Sequence, residues 1–330
     1  MFKVARLGFS GSVYDDFLNH YRIQTAFEKY EGFDTNCRVP KVLDFIRDNN
    51  DSWWNANRHL FVEIPQDLHL PAMTIMSERI PPLPRIIRQP LILKFCPSEK
   101  QQNARENPTN RDCLARVYLG KRIPPDAPLA VNFTLRNYNL TLDQMLAFSL
   151  PVDGYAKAMG EALALLHWEA FVDAFDVEFV LGSETTTDLE PGIMQRTGLT
   201  PEEFEDLPLF SSPRDVSVSS FTRRKIRMWL LDFNLCSRFS MGIFAGNKDA
   251  VIEQYVDSFF ENDPYYPRPV KEFMAGEKVE QTLWKVFVAA YLETSKRIMK
   301  MKVNDPTLEE MPERFIEDCE KTPGRQKSTL

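Results

Sequence analysis

Long apolar runs are missing from this 330-residue chain. No stretch approaches the roughly 18 consecutive apolar residues that a membrane-spanning helix needs, and the first residues lead into no apolar segment with a cleavage site. The sequence therefore predicts a cytoplasmic protein with no membrane partner. Cysteine is scarce: Cys37, Cys96, Cys113, Cys236 and Cys319 are odd in number and widely spread. They form no C-x-x-C pair and have no histidine at ligand spacing, which argues against a disulfide framework and a zinc site. No metal and no cofactor is expected. Positive charge is not in excess either. The 40 Lys and Arg against 47 Asp and Glu leave a formal charge of −7, the wrong sign for a DNA-binding domain and the right one for a cationic substrate. What is present, 43% hydrophobic and 26% charged residues, is the composition of a globular chain able to bury one large core or two ordinary ones. No internal repeat is found.

Apolar positions at helical spacing over residues 14–30 predict an early helix closed by Gly32. "RVPKVLDFI" (residues 38–46) and "AMTIMSERI" (residues 72–80) predict short strands, the second stopped by "PPLP". Residues 82–130, rich in Pro, Asn and Arg, predict an irregular insertion with strand-like pieces at "LILKF" and "ARVYL". Residues 152–171 place Tyr155, Met159, Ala162, Leu163 and Leu166 on one face of an amphipathic helix. Residues 183–222, rich in Ser, Thr, Pro and Glu, predict a flexible excursion. "IRMWLLDFNLC" (residues 226–236) predicts a buried strand ending at Asp232 and pairing with "DVEFVL" as a hairpin with a very long loop. Residues 248–302 read as mostly helical, and the charged tail from 306 to 330 as frayed. The division expected is a reduced N-terminal lobe with an irregular insertion over 1–135, a C-terminal lobe over 136–305, and the tail.

The order helix, Leu166-His167, acidic loop, strand, long loop, strand, Leu231-Asp232-Phe233 resembles the catalytic half of a protein kinase or aminoglycoside phosphotransferase. In those folds an Asp precedes a second metal-facing group by five residues, and a strand then presents Asp-Phe-Gly. Here Asp173 precedes Glu178 by five residues, and Asp232-Phe233-Asn234 stands for Asp-Phe-Gly. The resemblance implies an α+β fold with a reduced N-terminal lobe and a mostly helical C-terminal lobe. Kinase chemistry is disfavoured: "RLGFSGSVYDDF" (residues 6–17) runs into the first helix without room for a lysine strand, and Lys94 follows the hinge-like segment.

"SERIPPLPR", "DCLARVYLGKR", "LALLHWEAFVDAFDVEFVLG", "MWLLDFNLC" and "FFENDPYYPRP", spread over residues 77–269, resemble a fungal family of unknown function often mislabelled as zinc-finger proteins. Within it, short chains without a phosphate-binding front are similar to the arginine-containing cyclodipeptide synthases. That resemblance implies an aminoacyltransferase of secondary-metabolite biosynthesis. It would join arginine from arginyl-tRNA to a second aminoacyl-tRNA and release a diketopiperazine. The alternatives are a kinase-like small-molecule phosphotransferase and a catalytically dead kinase-like binding module.

Such chemistry needs a carboxylate to deprotonate an α-ammonium of pKa about 8 and a two-oxygen partner for a guanidinium. The acidic cluster supplies both. Asp173, Glu178 and Asp232 are the candidate catalytic groups, with Asp173 as the base; Asp176, His167, Asn234 and Glu78 are the candidate substrate-binding groups. A tRNA partner demands local positive charge. Arg223, Arg224, Lys225 and Arg227, then Arg85 and Arg88, then Lys121 and Arg122 are the candidate patches. Ser10 is an alternative acyl acceptor, without an identifiable base. Against each stands a plainer role: turn residue for Asp176, packing for His167, exposed helix face for Asp15 and Asp16, solvated faces for the charge runs, and core edge rather than base stacking for Trp53 and Trp54.

Overall fold

Three short strands stand in the first 80 residues, β1 (Phe2–Val4), β3 (Val42–Ile46) and the mostly buried β4 (Thr74–Ser77). They form an antiparallel sheet in the order β1-β4-β3. Between them runs α1 (Ser10–Lys29), whose buried residues Val13, Asp16, Asn19, His20, Ile23 and Ala26 recur every three or four positions. Ala5, Val13, Ala72 and Ile75 form a small core with Phe17, Val42 and Phe45 against it. Pro40, which has no N–H to donate, separates β3 from a two-residue β2 (Cys37–Arg38), so the single strand expected over 38–46 is two. The helix α2 (Asp51–Asn57) starts at Asn50, whose side chain accepts from the Trp53 N–H. The computed structural model describes residues 1–30, 36–61, 68–124, 126–127, 132–184, 225–240, 246–262, 264–269, 278–302 and 306–322.

This chain divides into two compact units that interleave along the sequence. The first unit holds residues 1–79, 150–178 and 230–330; the second holds 80–149 and 179–229. In the first unit the sheet and α1 are joined by α6 (Val152–Leu165), a π-turn over Leu166–Ala170, α7 (Lys248–Glu261), α8 (Lys278–Met301) and α9 (Met311–Lys321). Helices α6 and α8 touch at Gly160: a Cβ built there would lie 2.4 Å from the Phe287 carbonyl oxygen. The tail expected to fray instead carries α9, with Met311, Phe315, Ile316 and Cys319 buried. Its charges decorate one side of an amphipathic helix, and composition alone does not separate that from disorder.

In the second unit β5 (Ala115–Tyr118) runs parallel to β6 (Tyr138–Thr141) and antiparallel to β7 (Glu178–Glu184), and β8 (Lys225–Leu231) lies beside β7. The pairing of "DVEFVL" with the strand ending at Asp232 is therefore present; most of the excursion between them lies outside the described residues. The stretch expected to be irregular holds helices as well as the strand expected at "ARVYL". "LILKF" is the end of α3 (Arg85–Phe95), followed by α4 (Gln101–Glu106). "LILKF" alone is strand-like, but the buried set Arg88, Leu91 and Ile92 has helical spacing, and that period decides. A capping box between Thr141 and Gln144 opens α5 (Leu142–Ala147).

Candidate functional site

All the acidic candidates except Glu78 lie on two short backbone segments of the first unit, and both segments are strained. Phe171 (φ 54°), Ala174 (58°) and Asp176 (60°) precede β7, and Asp232 (65°) follows β8. These are four of the six described non-glycine residues with positive φ. Each such conformation costs on the order of 1 kcal/mol or more and persists only where surrounding contacts impose it. The π-turn immediately before them is a second irregularity of the kind that concentrates at functional sites.

Asp173 explains what holds the strain. It is 1% exposed, and its Oδ1 accepts from the backbone N–H groups of Phe175 (3.1 Å) and Ser237 (2.9 Å). Its Oδ2 accepts from Gln254 of α7 (3.1 Å), and its own N–H donates to the Ser237 carbonyl. Both oxygens are engaged and the group is out of water, so Asp173 ties the two strained segments together rather than waiting as a base. Its neighbours are fixed from the same side: Asn262 donates to the Val177 carbonyl (3.2 Å), and the Tyr255 hydroxyl to that of His167 (3.1 Å).

His167 is fully buried, stacked on Tyr255 with ring centroids 4.0 Å apart and edge-on to Phe315. Its Nδ1 lies 3.0 Å from the Tyr291 hydroxyl, which itself accepts from the Trp168 indole N–H. Burial holds His167 well below the ordinary histidine range, opposed only by the backbone of Asp173. A ring in that position does not reach a substrate; it packs beneath the loop.

The groups nearer the surface are Asp232, Asp176, Glu178 and Asn234. Asp176 is exposed, and Glu178 and Asn234 are partly so. Asp232, 34% exposed at its side chain, accepts from the Lys3 ammonium at 3.1 Å. The same Lys3 Nζ lies 2.7 Å from Asp16 Oδ2, whose side chain is only 5% exposed. Burial, the largest influence, lowers the Lys3 pKa, but Asp16 and Asp232 together outweigh it and raise it. Lys3 thus occupies a strand ahead of residues 6–17, not between those glycines and the first helix, where the sequence reading found no room for a lysine strand. A three-residue strand beginning at the second residue is too short to register as a periodic signal. Asp16, read as an exposed helix face, is buried; Asp15 has that surface role and pairs with Arg238 at 2.7 Å. Burial first, and then Asp173, Asp16, Asp232 and Asp176, push the Cys236 thiol well above its ordinary value.

Elsewhere the candidates have other work. Glu78 accepts from the Lys41 N–H (3.1 Å) at the end of the β3–β4 pair. Ser10 opens α1. Trp54 is buried, and Trp53 and Trp54 pack with Phe2 and Phe61, so these rings are a core edge. In the second unit Arg88 is 8% exposed and donates to the carbonyls of Leu83 and Asn110, which removes it as a phosphate contact. Arg227 is bound to Glu184 at 2.8 Å. Arg85, Lys225, Lys121 and Arg122 are exposed, and Arg223 and Arg224 lie outside the described residues.

Residues 228–303 match the family model DUF3669, whose description reads "Zinc finger protein". The match takes in Asp232, Cys236, Gln254 and Asn262, the side of the acidic loop contributed by the turn after β8 and by α7. No curated protein and no solved structure matches the chain. The zinc in that description does not fit these residues. The matched segment has one cysteine, Cys236, and no histidine. Among the described residues no three His, Cys, Asp or Glu side chains are grouped to hold a metal ion. Nor does any described helix have the length and apolarity to cross a membrane.

Proposed function

We propose that the acidic cluster of the first unit binds a cationic amino acid, and that the chain is a tRNA-dependent, arginine-containing cyclodipeptide synthase on a kinase-like scaffold. The observation that carries the reading is that two carboxylates, the buried Asp16 and the half-exposed Asp232, share the single ammonium of Lys3 at 2.7 and 3.1 Å. A site with that balance attracts a guanidinium or an α-ammonium and repels phosphate. Each condensation forms an amide C–N bond and breaks an ester C–O bond; of the two protons the nitrogen gives up, one ends on the departing ribose oxygen and the other passes through the carboxylate base to water. No nucleotide and no metal is required, since the ester is already activated. With Asp173 occupied, Asp232 is the base of choice and Asp176 and Glu178 are the substrate ligands; Arg85 and Lys225 remain as exposed candidates for tRNA phosphates.

A second reading, an atypical small-molecule phosphotransferase, is favoured by one observation. A strand lysine paired to a helix acid and to the Asp of Asp-Phe-Asn is the arrangement that neutralises phosphates in kinases. The two separate in one assay. Recombinant protein is incubated with tRNA, arginyl-tRNA synthetase and mixed amino acids, and cyclic arginyl dipeptides are sought by mass spectrometry, with ribonuclease as control. Product lost on ribonuclease treatment is expected, and Asp232→Asn should lower it on the order of 100-fold. Product that survives ribonuclease rules out a tRNA donor. A rise in melting temperature with magnesium ATP, and no dipeptide, selects the phosphotransferase.

A further inference from the structure

One face of α1 is given over to the turn that follows β8 and begins at Asp232. Asn19 of α1 is 1% exposed, and its Nδ2 donates to two carbonyls of that turn, Phe233 at 2.8 Å and Cys236 at 2.9 Å. The next residue, His20, rests its ring against Phe233 with centroids 5.0 Å apart, and its Nε2 lies 2.7 Å from the Pro40 carbonyl oxygen. One helical turn earlier, Asp15 pairs with Arg238 at 2.7 Å, and Asp16 lies beside the Lys3 ammonium that also bonds Asp232. One turn later, Arg22 donates to the Ala170 carbonyl at 3.2 Å, next to Phe171. Positions 15, 16, 19 and 22 share a helix face, so one rigid element meets both strained segments.

Asp232 needs that support. Its φ of 65° is a conformation that an aspartate keeps only where surrounding contacts impose it. The ion pair with Lys3 does not impose it, since the two side chains are 45% and 34% exposed and one of them is a flexible lysine. The bonds of Asp173 to Ser237 hold the far end of the turn, five residues on. Its near end, one residue after Asp232, is where Asn19 attaches. An amide has two N–H donors on one nitrogen, which suits it to bridge two carbonyls. A leucine fills nearly the same volume without either donor.

We propose that Asn19 is the positioning residue of the acidic site: by holding the Phe233 and Cys236 carbonyls against α1 it fixes the turn in which the Asp232 carboxylate meets the Lys3 ammonium, and without it Asp232 swings away from Lys3. The inference rests on the reading above only in making Asp232 the group that has to be aimed. Its test contains no substrate, so a failed product assay leaves it standing.

The test reads the Lys3 ammonium in the full chain. Trace acylation at about pH 8.5, followed amine by amine with fragment-ion mass spectrometry, reports the unprotonated fraction of each lysine, which changes tenfold per unit of pKa. Against the effect of burial, Asp16 and Asp232 hold Lys3 more firmly protonated than an ordinary lysine. Asp232→Asn is therefore expected to speed acylation of Lys3 about threefold. Asn19→Leu should speed it by the same factor, and Asn19→Leu/Asp232→Asn no further. Lys29, at the end of α1 and 2.7 Å from Glu169, should not change in any of them. A Lys3 rate in Asn19→Leu equal to that of wild type, with only a lower melting temperature, overturns the proposal, because Asn19 would then stabilise the fold without aiming Asp232. An unchanged rate in Asp232→Asn overturns it too. So does a rise at Lys29 or a further rise in the double variant, since the helix would then be loosening as a whole. Should Asn19→Leu not fold, Asn19→Asp decides: a protonated carboxyl of the same shape keeps one donor in place of two. A smaller rise at Lys3 in that variant supports the proposal, and no rise overturns it.

Discussion

Beneath the acidic loop the His167 ring is enclosed by Tyr255 of α7, Tyr291 of α8 and Phe315 of α9, with Trp168 beside it and no carboxylate side chain bonded to it. An imidazolium there would have neither water nor a counter-ion, so burial keeps it neutral. In the unfolded chain the same residue titrates near pH 6.5. The unfolded state therefore takes up the proton first. Stability is intact above about pH 6.5 and falls as pH drops below it, by roughly 1.4 kcal/mol per pH unit while the folded ring stays neutral. His20, also lowered by burial, adds to the slope. Urea midpoints at pH 7.5 and 5.5 should show the loss, and His167→Phe, which keeps a ring between Tyr255 and Phe315, should show less of it. An unchanged slope in that variant would assign the pH response to other groups.

Between elements the tightest approach described is α6 on α8. With a Cβ at Gly160 placed 2.4 Å from the Phe287 carbonyl oxygen and 3.2 Å from the Ala290 Cβ, the obstacle is largely backbone and has no rotamer to escape into. Gly160→Ala gains about 1 kcal/mol of helix propensity but forces the helices apart at a cost of about 1–3 kcal/mol. Net destabilisation is expected, read as a lower urea midpoint at unchanged slope. What was legible in the sequence follows the strength of local periods. The α6 stripe, the strand ending at Asp232 and its pairing with "DVEFVL" were readable because apolar residues repeat over many positions. At α3 the five-residue run "LILKF" is too short to show a helical period by itself, and in α9 charge hid a buried face. The site was half legible. Acidic residue types at strand ends marked Asp232 and Asp176, whereas Lys3, Asp16, Asn19 and Gln254 are assigned by contacts between residues up to 229 positions apart, as in the Lys3–Asp232 bond. No local pattern carries that information.

At the scale of the molecule, chain segments remote in sequence complete one another, and the C-terminal helix is the sharpest case. Phe315 and Cys319 are fully buried, and Met311 and Ile316 are exposed by 3% and 5%. Phe315 meets both His167 and Tyr291, while the Trp284 indole donates to Glu320 at 3.0 Å. The ion pair between Arg314 and Asp249 is too exposed to add much. Burying side chains of this size stabilises by about 1.5–3 kcal/mol each, so four of them contribute on the order of 6–12 kcal/mol. A whole domain commonly has only about 5–15 kcal/mol in hand. Cutting the chain after Lys302 should therefore remove most of that margin, uncover the aromatic rings of α7 and α8, and release the layer on which the acidic loop rests. The expected outcome is a product that binds a hydrophobic dye and loses its cooperative thermal transition, whereas a cut after Thr322 changes neither. A sharp transition within a few degrees of the full chain after the shorter cut would mean that the first unit closes its core without α9.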